Sequence, residues 1–178
     1  MTAIKLREHQ VAQKAAFRKW AGFPTRPPGP PQGQRGTIVS ATGSGKTIMT
    51  GASAFGCFPD GRILVVVPTL DLLAQTAQAW RAVGHRAPMA AVCSLENDAV
   101  LNSLRVCTTT NPIQLALWAR HGSVVVFATY ASLVDREPVL MVDDQGIAVG
   151  RLFGSQLWPG LHVVLKVGDQ FLGCRTGC

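Results

Sequence analysis

Residues 62–68, RILVVVP, and 123–130, SVVVFATY, are almost unbroken apolar runs rich in β-branched side chains. A strand with one wet face alternates apolar with polar. A run without alternation needs cover on both faces, which is the condition of a strand inside a parallel sheet with helices on either side. The segments around these runs supply the helices. Leu73, Ala77 and Trp80 share a helical face, with Thr69 placed to cap the helix and Asp71 in its positive first turn. PMAAVCSL (88–95) reads as a weaker third strand. Asn111 as N-cap, Pro112 at the first helical position and Gln114 three residues after the cap start a helix at PIQLALWAR. Strands alternating with helices predict an α/β fold: a parallel sheet flanked by helices, right-handed crossovers, and ligands beyond the carboxyl ends of the strands.

The N-terminal part fits the same plan. Val11, Ala12, Ala15, Ala16 and Trp20 recur at helical spacing, so a helix is expected over about 7–20. GFPTRPPGPPQGQRG (22–36) is too rich in proline and glycine for helix or central strand and reads as an extended surface loop. TIVS (37–40) is predicted as a short buried strand, and Ile48, Ala52 and Phe55 predict a helix after the glycine turn. Between them lies SATGSGKT, residues 40–47. Strand, glycine turn and helix is the context of a phosphate loop (P-loop). Glycines let consecutive backbone N–H groups converge on an anion, here those of Thr42, Gly43, Ser44 and Gly45. The helix adds its positive end, Lys46 meets the β- and γ-phosphates, and the Thr47 hydroxyl is placed for Mg²⁺. Ser40 stands where the strict pattern has glycine.

Charge points the same way. The chain has 17 Lys and Arg against 10 Asp and Glu, and up to Phe58 the only acid is Glu8, facing Lys5, Arg7, Lys14, Arg18, Lys19, Arg26, Arg35 and Lys46. That half is suited to meet nucleic acid or nucleotide phosphate, or is simply a solvated basic face. The five cysteines are odd in number and lack framework spacing, which predicts free thiols in a reducing cytoplasm. The terminal CRTGC has no second Cys/His pair nearby, and His9, His85, His121 and His162 lack ligand spacing, so no metal site is expected from either. No apolar run approaches the roughly 18 residues of a membrane span, and the expectation is a soluble, cytoplasmic protein without a membrane partner.

Four pieces, in order, resemble the superfamily 2 helicases and translocases, near the helicase subunit of type I and III restriction enzymes. LREHQ (6–10) looks like the family's upstream element, ATGSGKT (41–47) is similar to its nucleotide loop, PTLDLLAQ (68–75) resembles motif Ia, and FATYASL (127–133) resembles a later segment near the nucleic-acid groove. The resemblance implies a RecA-like ATP-binding lobe over 1–133 and ATP with Mg²⁺ as cofactors. It further implies Gln10 on adenine, and Thr69, Gln75, Thr129 and Tyr130 toward nucleic acid, DNA before RNA. Thr69 equally serves as a helix cap, and Tyr130 as core packing. Hydrolysis in the family also needs a metal-binding aspartate followed by a water-activating glutamate. The nearest counterpart is VLMVDDQ, with Asp143 for the metal and Asp144 in place of the glutamate, or with both acids merely in a turn. Residues 134–178 look diverged, leaving the lobe incomplete at its C-terminus. Nothing resembles the second lobe and its arginines, whose loss costs on the order of a thousandfold in turnover. The chain is therefore expected to bind ATP and to hydrolyse it poorly alone. Two alternatives stand beside this: a non-catalytic nucleotide- or DNA-binding fragment, and a small P-loop NTPase or kinase.

Overall fold

The two apolar runs lie side by side at the centre of the sheet. In the computed structural model, which describes residues 4–23, 34–36, 38–94, 98–119, 123–134, 161–166 and 172–174, β2 (Arg62–Val67) pairs in parallel with β5 (Val124–Thr129), from Arg62 opposite Val124 to Val67 opposite Thr129. Every residue from Ile63 to Val67 and from Val124 to Thr129 is buried. Beyond β5 come β3 (Met89–Val92) and β4 (Val106–Thr109), both parallel. On the other side of β2, β6 (Leu161–Lys166) is parallel, then β7 (Leu172–Cys174) and β1 (Gln34–Gly36) are antiparallel. The order is β1-β7-β6-β2-β5-β3-β4.

Because strand side chains alternate between faces, the runs feed two cores. Ile63, Val65, Val67, Met89, Ala91, Val125 and Phe127 pack with Phe17 of α1 (Glu8–Trp20), Ala54 and Cys57 of α2 (Lys46–Cys57), and Leu73, Ala77 and Trp80 of α3 (Leu70–Ala82). Leu64, Val66, Ala90, Val92, Val124, Val126 and Ala128 pack with Leu115 and Trp118 of α5 (Pro112–Ala119). Each valine, leucine, isoleucine, methionine and phenylalanine among them contributes about 1.5–3 kcal/mol on burial, against about 1 kcal/mol for a hydrogen bond. The sheet is thus the rigid body, and hydrogen-bonded loops at its ends can rearrange at little cost to it.

Several local expectations need correction. Residues 38–40 form no strand, and Val39 is 88% exposed. Both sides of β2 are taken, by β5 and β6, so no central position is left for them. The buried face of α1 is Gln10 and Phe17, while Val11 is 52% exposed, because α1 turns Phe17 and Trp20 to the core and its polar N-terminal half to the glycine loop. Phe55 sits at the surface, 37% exposed; α2 buries Met49 and Ala52 to Ala54 instead. At the start of α5 the Asn111 cap holds, its Oδ1 accepting from the Gln114 N–H at 3.5 Å, while Gln114 Oε1 accepts from Thr109 Oγ1 at 2.7 Å. That same Thr109 oxygen accepts from the Asn111 N–H at 2.9 Å.

The sequence reading did not include α4 (Ala99–Ser103) or β4. The segment beyond 133, with its short apolar runs between glycines, contributes β6 and β7 to the sheet. Asp143 and Asp144 lie outside the described residues.

Candidate functional site

The glycine loop is built by backbone conformation. Gly43 (φ +77°) and Gly45 (φ +82°) are both left-handed, a region closed to most side chains. None of the described residues lies within 4 Å of where a Cβ on Gly43 would stand, which leaves that backbone open among them to a ligand's approach. A Cβ on Gly45 would instead collide with the Gln10 amide nitrogen. Gly45 is the N-cap of α2, and its carbonyl accepts from the Met49 N–H at 3.0 Å. α2 has no acid in its first turn, so the positive end of a 12-residue helix faces the loop without a neutralising carboxylate.

Lys46 is exposed and folds back over the turn. Its Nζ donates to the carbonyls of Ser40 at 2.9 Å and Ala41 at 3.1 Å. Those weak, solvent-facing bonds hold the ammonium above the loop, where a phosphate can replace the carbonyls as acceptor.

α1 closes the loop from the other side. Gln10 is only 4% exposed. Its Oε1 accepts from the Arg7 N–H at 2.9 Å, and its Nε2 donates to Ser44 O at 2.9 Å and, at 3.5 Å, to Gly45 O. His9 donates from Nε2 to the same Ser44 carbonyl at 3.0 Å, in the Nε2–H tautomer. Gln13 Nε2 donates to Ser40 Oγ at 2.9 Å, and the Ser40 and Ser44 hydroxyls are 2.6 Å apart. The structure therefore joins Gln10 to Ser44, Gly45 and the lysine turn. His9 and Gln13 are additions that the sequence reading missed. Their signal is present in retrospect, since residues 9, 10 and 13 fall on one helical face.

Thr47 is half-buried in the first turn of α2. Among the described residues no three His, Cys, Asp or Glu side chains gather as a metal site. Mg²⁺ characteristically keeps its waters and binds through substrate phosphates with few protein ligands. The protein ligand on offer among the described residues is accordingly the Thr47 hydroxyl.

A second feature opens at the carboxyl ends of the strands. Thr69, Ser94, Thr110, Thr129 and Ser132 contribute to the lining of a cleft of about 370 Å³ with Pro68, Leu70 and Ala131. Thr69 Oγ1 also accepts from the Leu72 N–H at 3.3 Å, capping α3. Thr129 Oγ1 accepts from the Ser132 N–H at 3.2 Å. The threonines of two separate motifs thus meet at one cleft, which offers neutral hydroxyls rather than charge. Gln75 is exposed on α3 and Tyr130 packs on the second core; neither lines the cleft.

Comparison with known proteins gives a consistent picture. The family model described as type III restriction enzyme, res subunit, matches residues 3–146. A nuclease-deletion mutant of the Type ISP restriction-modification enzyme LlaGI, solved in complex with a DNA substrate mimic, aligns with a TM-score of 0.55 and 23% identity over 73% of this chain. The ATP-dependent Type ISP enzyme LlaBIII, solved bound to DNA, aligns with a TM-score of 0.53 and 22% identity over 74% of this chain. The matched part spans 13% and 9% of those two chains. Comparison with curated proteins gives no match.

Proposed function

The chain belongs to the res-subunit family of type III restriction enzymes, as the N-terminal lobe of a superfamily 2 helicase, and from that premise we propose that it binds ATP with Mg²⁺ on residues 40–47. In the presence of a second lobe, that binding drives movement on DNA. The observation that carries the nucleotide reading is the left-handed Gly43–Gly45 loop at the uncompensated N-terminus of α2, with Lys46 folded over it. The backbone N–H groups of Thr42, Gly43 and Gly45 take the phosphates, that of Ser44 joins them on leaving the Ala41 carbonyl to which it donates at 3.2 Å, Lys46 exchanges its carbonyl partners for phosphate oxygens, and Thr47 would hold the metal. Held there, Mg²⁺ would supply charge neutralisation at the bound phosphates. Gln10 is the residue proposed to meet adenine.

DNA is the proposed polymer. The basic first 58 residues supply attraction to a phosphate backbone. The hydroxyl cleft of Thr69 and Thr129 supplies short-range contacts of the kind that position a backbone without reading bases. Both solved relatives are structures with DNA or a DNA mimic.

The test is calorimetric titration of the full chain with ATP and Mg²⁺, followed by single-turnover hydrolysis with and without duplex DNA. Binding that Lys46→Ala weakens at least tenfold is the expected result. A wild-type chain that takes up no ATP, or a Lys46→Ala chain that binds as well as wild type, overturns the proposal. DNA-stimulated turnover lost with Lys46→Ala would show a lobe active alone; binding without turnover would assign the missing steps to the second lobe.

A further inference from the structure

Gln13 belongs to no motif named above, yet its amide reaches the loop at the one position where the glycine pattern is broken. Its Nε2 donates to Ser40 Oγ, and Ser40 Oγ touches Ser44 Oγ. Its Oε1 is buried without a hydrogen-bond partner among the described residues. Turning the amide over would bury an unpaired NH₂ instead, leaving two donors rather than one acceptor unsatisfied. Under-satisfied carbonyl oxygens are the more tolerated of the two.

With the amide donating to Ser40 Oγ, the proton of Ser40 itself is left free to pass on to Ser44. A hydroxyl carries one proton. Ser40 accepts from Gln13, and either serine can be the donor in their contact; in the arrangement where Ser40 sends its proton to Ser44 Oγ, Ser44's own proton is left for an acceptor in the mouth of the loop. Ser40 also offers its carbonyl to Lys46 at 2.9 Å. A glycine at position 40 would keep the carbonyl contact and lose the relay.

We propose that Gln13 is a positioning residue of the phosphate loop. Through Ser40 it holds Ser44 with its hydroxyl proton turned toward the phosphate that the loop binds. This rests on the nucleotide reading above and adds to it a side-chain donor, Ser44, and the two residues that orient it.

The experiment measures binding of inorganic triphosphate and of ATP, each with Mg²⁺, to the full chain. The variants are wild type, Gln13→Ala, Ser40→Gly, Ser44→Ala, and the pairs combining Ser44→Ala with each of the other two. Thermal melting checks that each is folded. Gln13→Ala, Ser40→Gly and Ser44→Ala should each weaken both ligands about fivefold, the worth of one net hydrogen bond. Because the donor is already gone in Ser44→Ala, adding Gln13→Ala or Ser40→Gly to it should cost nothing more. A simple mechanical tie between α1 and the loop would make the losses multiply, and that result overturns the relay, as does unchanged binding in Gln13→Ala. If Gln13→Ala does not fold, the Ser40→Gly and Ser44→Ala pair decides by the same criterion. A wild-type chain that binds neither ligand removes the nucleotide reading, and the relay with it.

Discussion

His85 makes the lobe sensitive to acid in a defined window. The side chain is 1% exposed, stacked on Trp80 with ring centroids 5.5 Å apart and against Phe55 at 5.3 Å, and neither ring nitrogen has a hydrogen-bond partner among the described residues. Burial disfavours the imidazolium, and the Arg81 guanidinium, which donates to the His85 carbonyl at 3.0 Å, adds repulsion. Together they push the His85 pKa down from 6.5 to about 4. The unfolded chain therefore takes up a proton near pH 6.5, whereas the folded chain resists until about pH 4. Between those values the unfolded state holds more protons, so stability rises with pH. The full contribution is present above pH 6.5 and is lost as the pH falls toward 4. A shift of this size corresponds to about 3 kcal/mol, a large share of the roughly 5–15 kcal/mol typical of a domain. Urea unfolding of wild type and His85→Leu at several pH values from 7.5 to 4 isolates the effect. Leucine keeps the backbone bonds to Trp80 and Arg81 and removes the titrating ring. The stability difference between the two chains should swing by about 3 kcal/mol in favour of the variant across the window. A difference that stays constant with pH refutes the reasoning.

Two substitutions test the packing around the loop. Gly51→Ala in α2 gains about 1 kcal/mol of helix propensity, but its Cβ would lie 2.8 Å from Cδ1 of the fully buried Trp80. Overpacking costs typically 1–3 kcal/mol, so the urea midpoint should fall, and a rise would show that α2 and α3 are less closely packed than described here. Gly43→Ala and Gly45→Ala both place a side chain at left-handed φ, at about 1–2 kcal/mol each, but only the second drives into the Gln10 amide. Melting temperatures should therefore order as wild type, Gly43→Ala, Gly45→Ala, and the reverse order of the two variants would remove the Gln10 contact from the account.

The sheet centre was legible because β2 and β5 declare themselves locally. Five consecutive apolar residues without alternation in each allow few other structures. The α3 boundary was legible for a similar reason, since Thr69 caps through its own side chain, accepting from the N–H of Leu72 three residues on. What escaped the sequence depends on distant chain. Residues 38–40 have the composition of a strand, but the edge they would need is filled by β6, more than a hundred residues later. β4 was missed because VCTT mixes a buried valine and threonine with an exposed cysteine, which is a weak pattern over four residues. The site was half legible. Gly43, Gly45, Lys46 and Thr47 follow from backbone rules, and Gln10 from resemblance. His9, Gln13 and the Ser40–Ser44 contact arise only when α1 docks on the loop.

That docking explains why α1 contradicts its own apolar pattern. A helix that exposes Val11 while burying Gln10 gives up apolar burial, and a buried amide is tolerated only when bonded. Gln10 meets the condition through Arg7 and Ser44, so the α1 contact and the loop conformation stand or fall together. The adenine role proposed for Gln10 also meets a test of atom counting. An amide that reads adenine needs one donor for N7 and one acceptor for the N6 amino group. Gln10 has one lone pair on Oε1 beyond the bond from Arg7, and one N–H engaged only at 3.5 Å with Gly45. Both short bonds can therefore persist while the base is read. What must give way is burial, because at 4% exposure the amide edge is covered. A base that uncovers it acts on the same side chain that holds the Ser44 carbonyl, and recognition of adenine then bears directly on the shape of the phosphate loop.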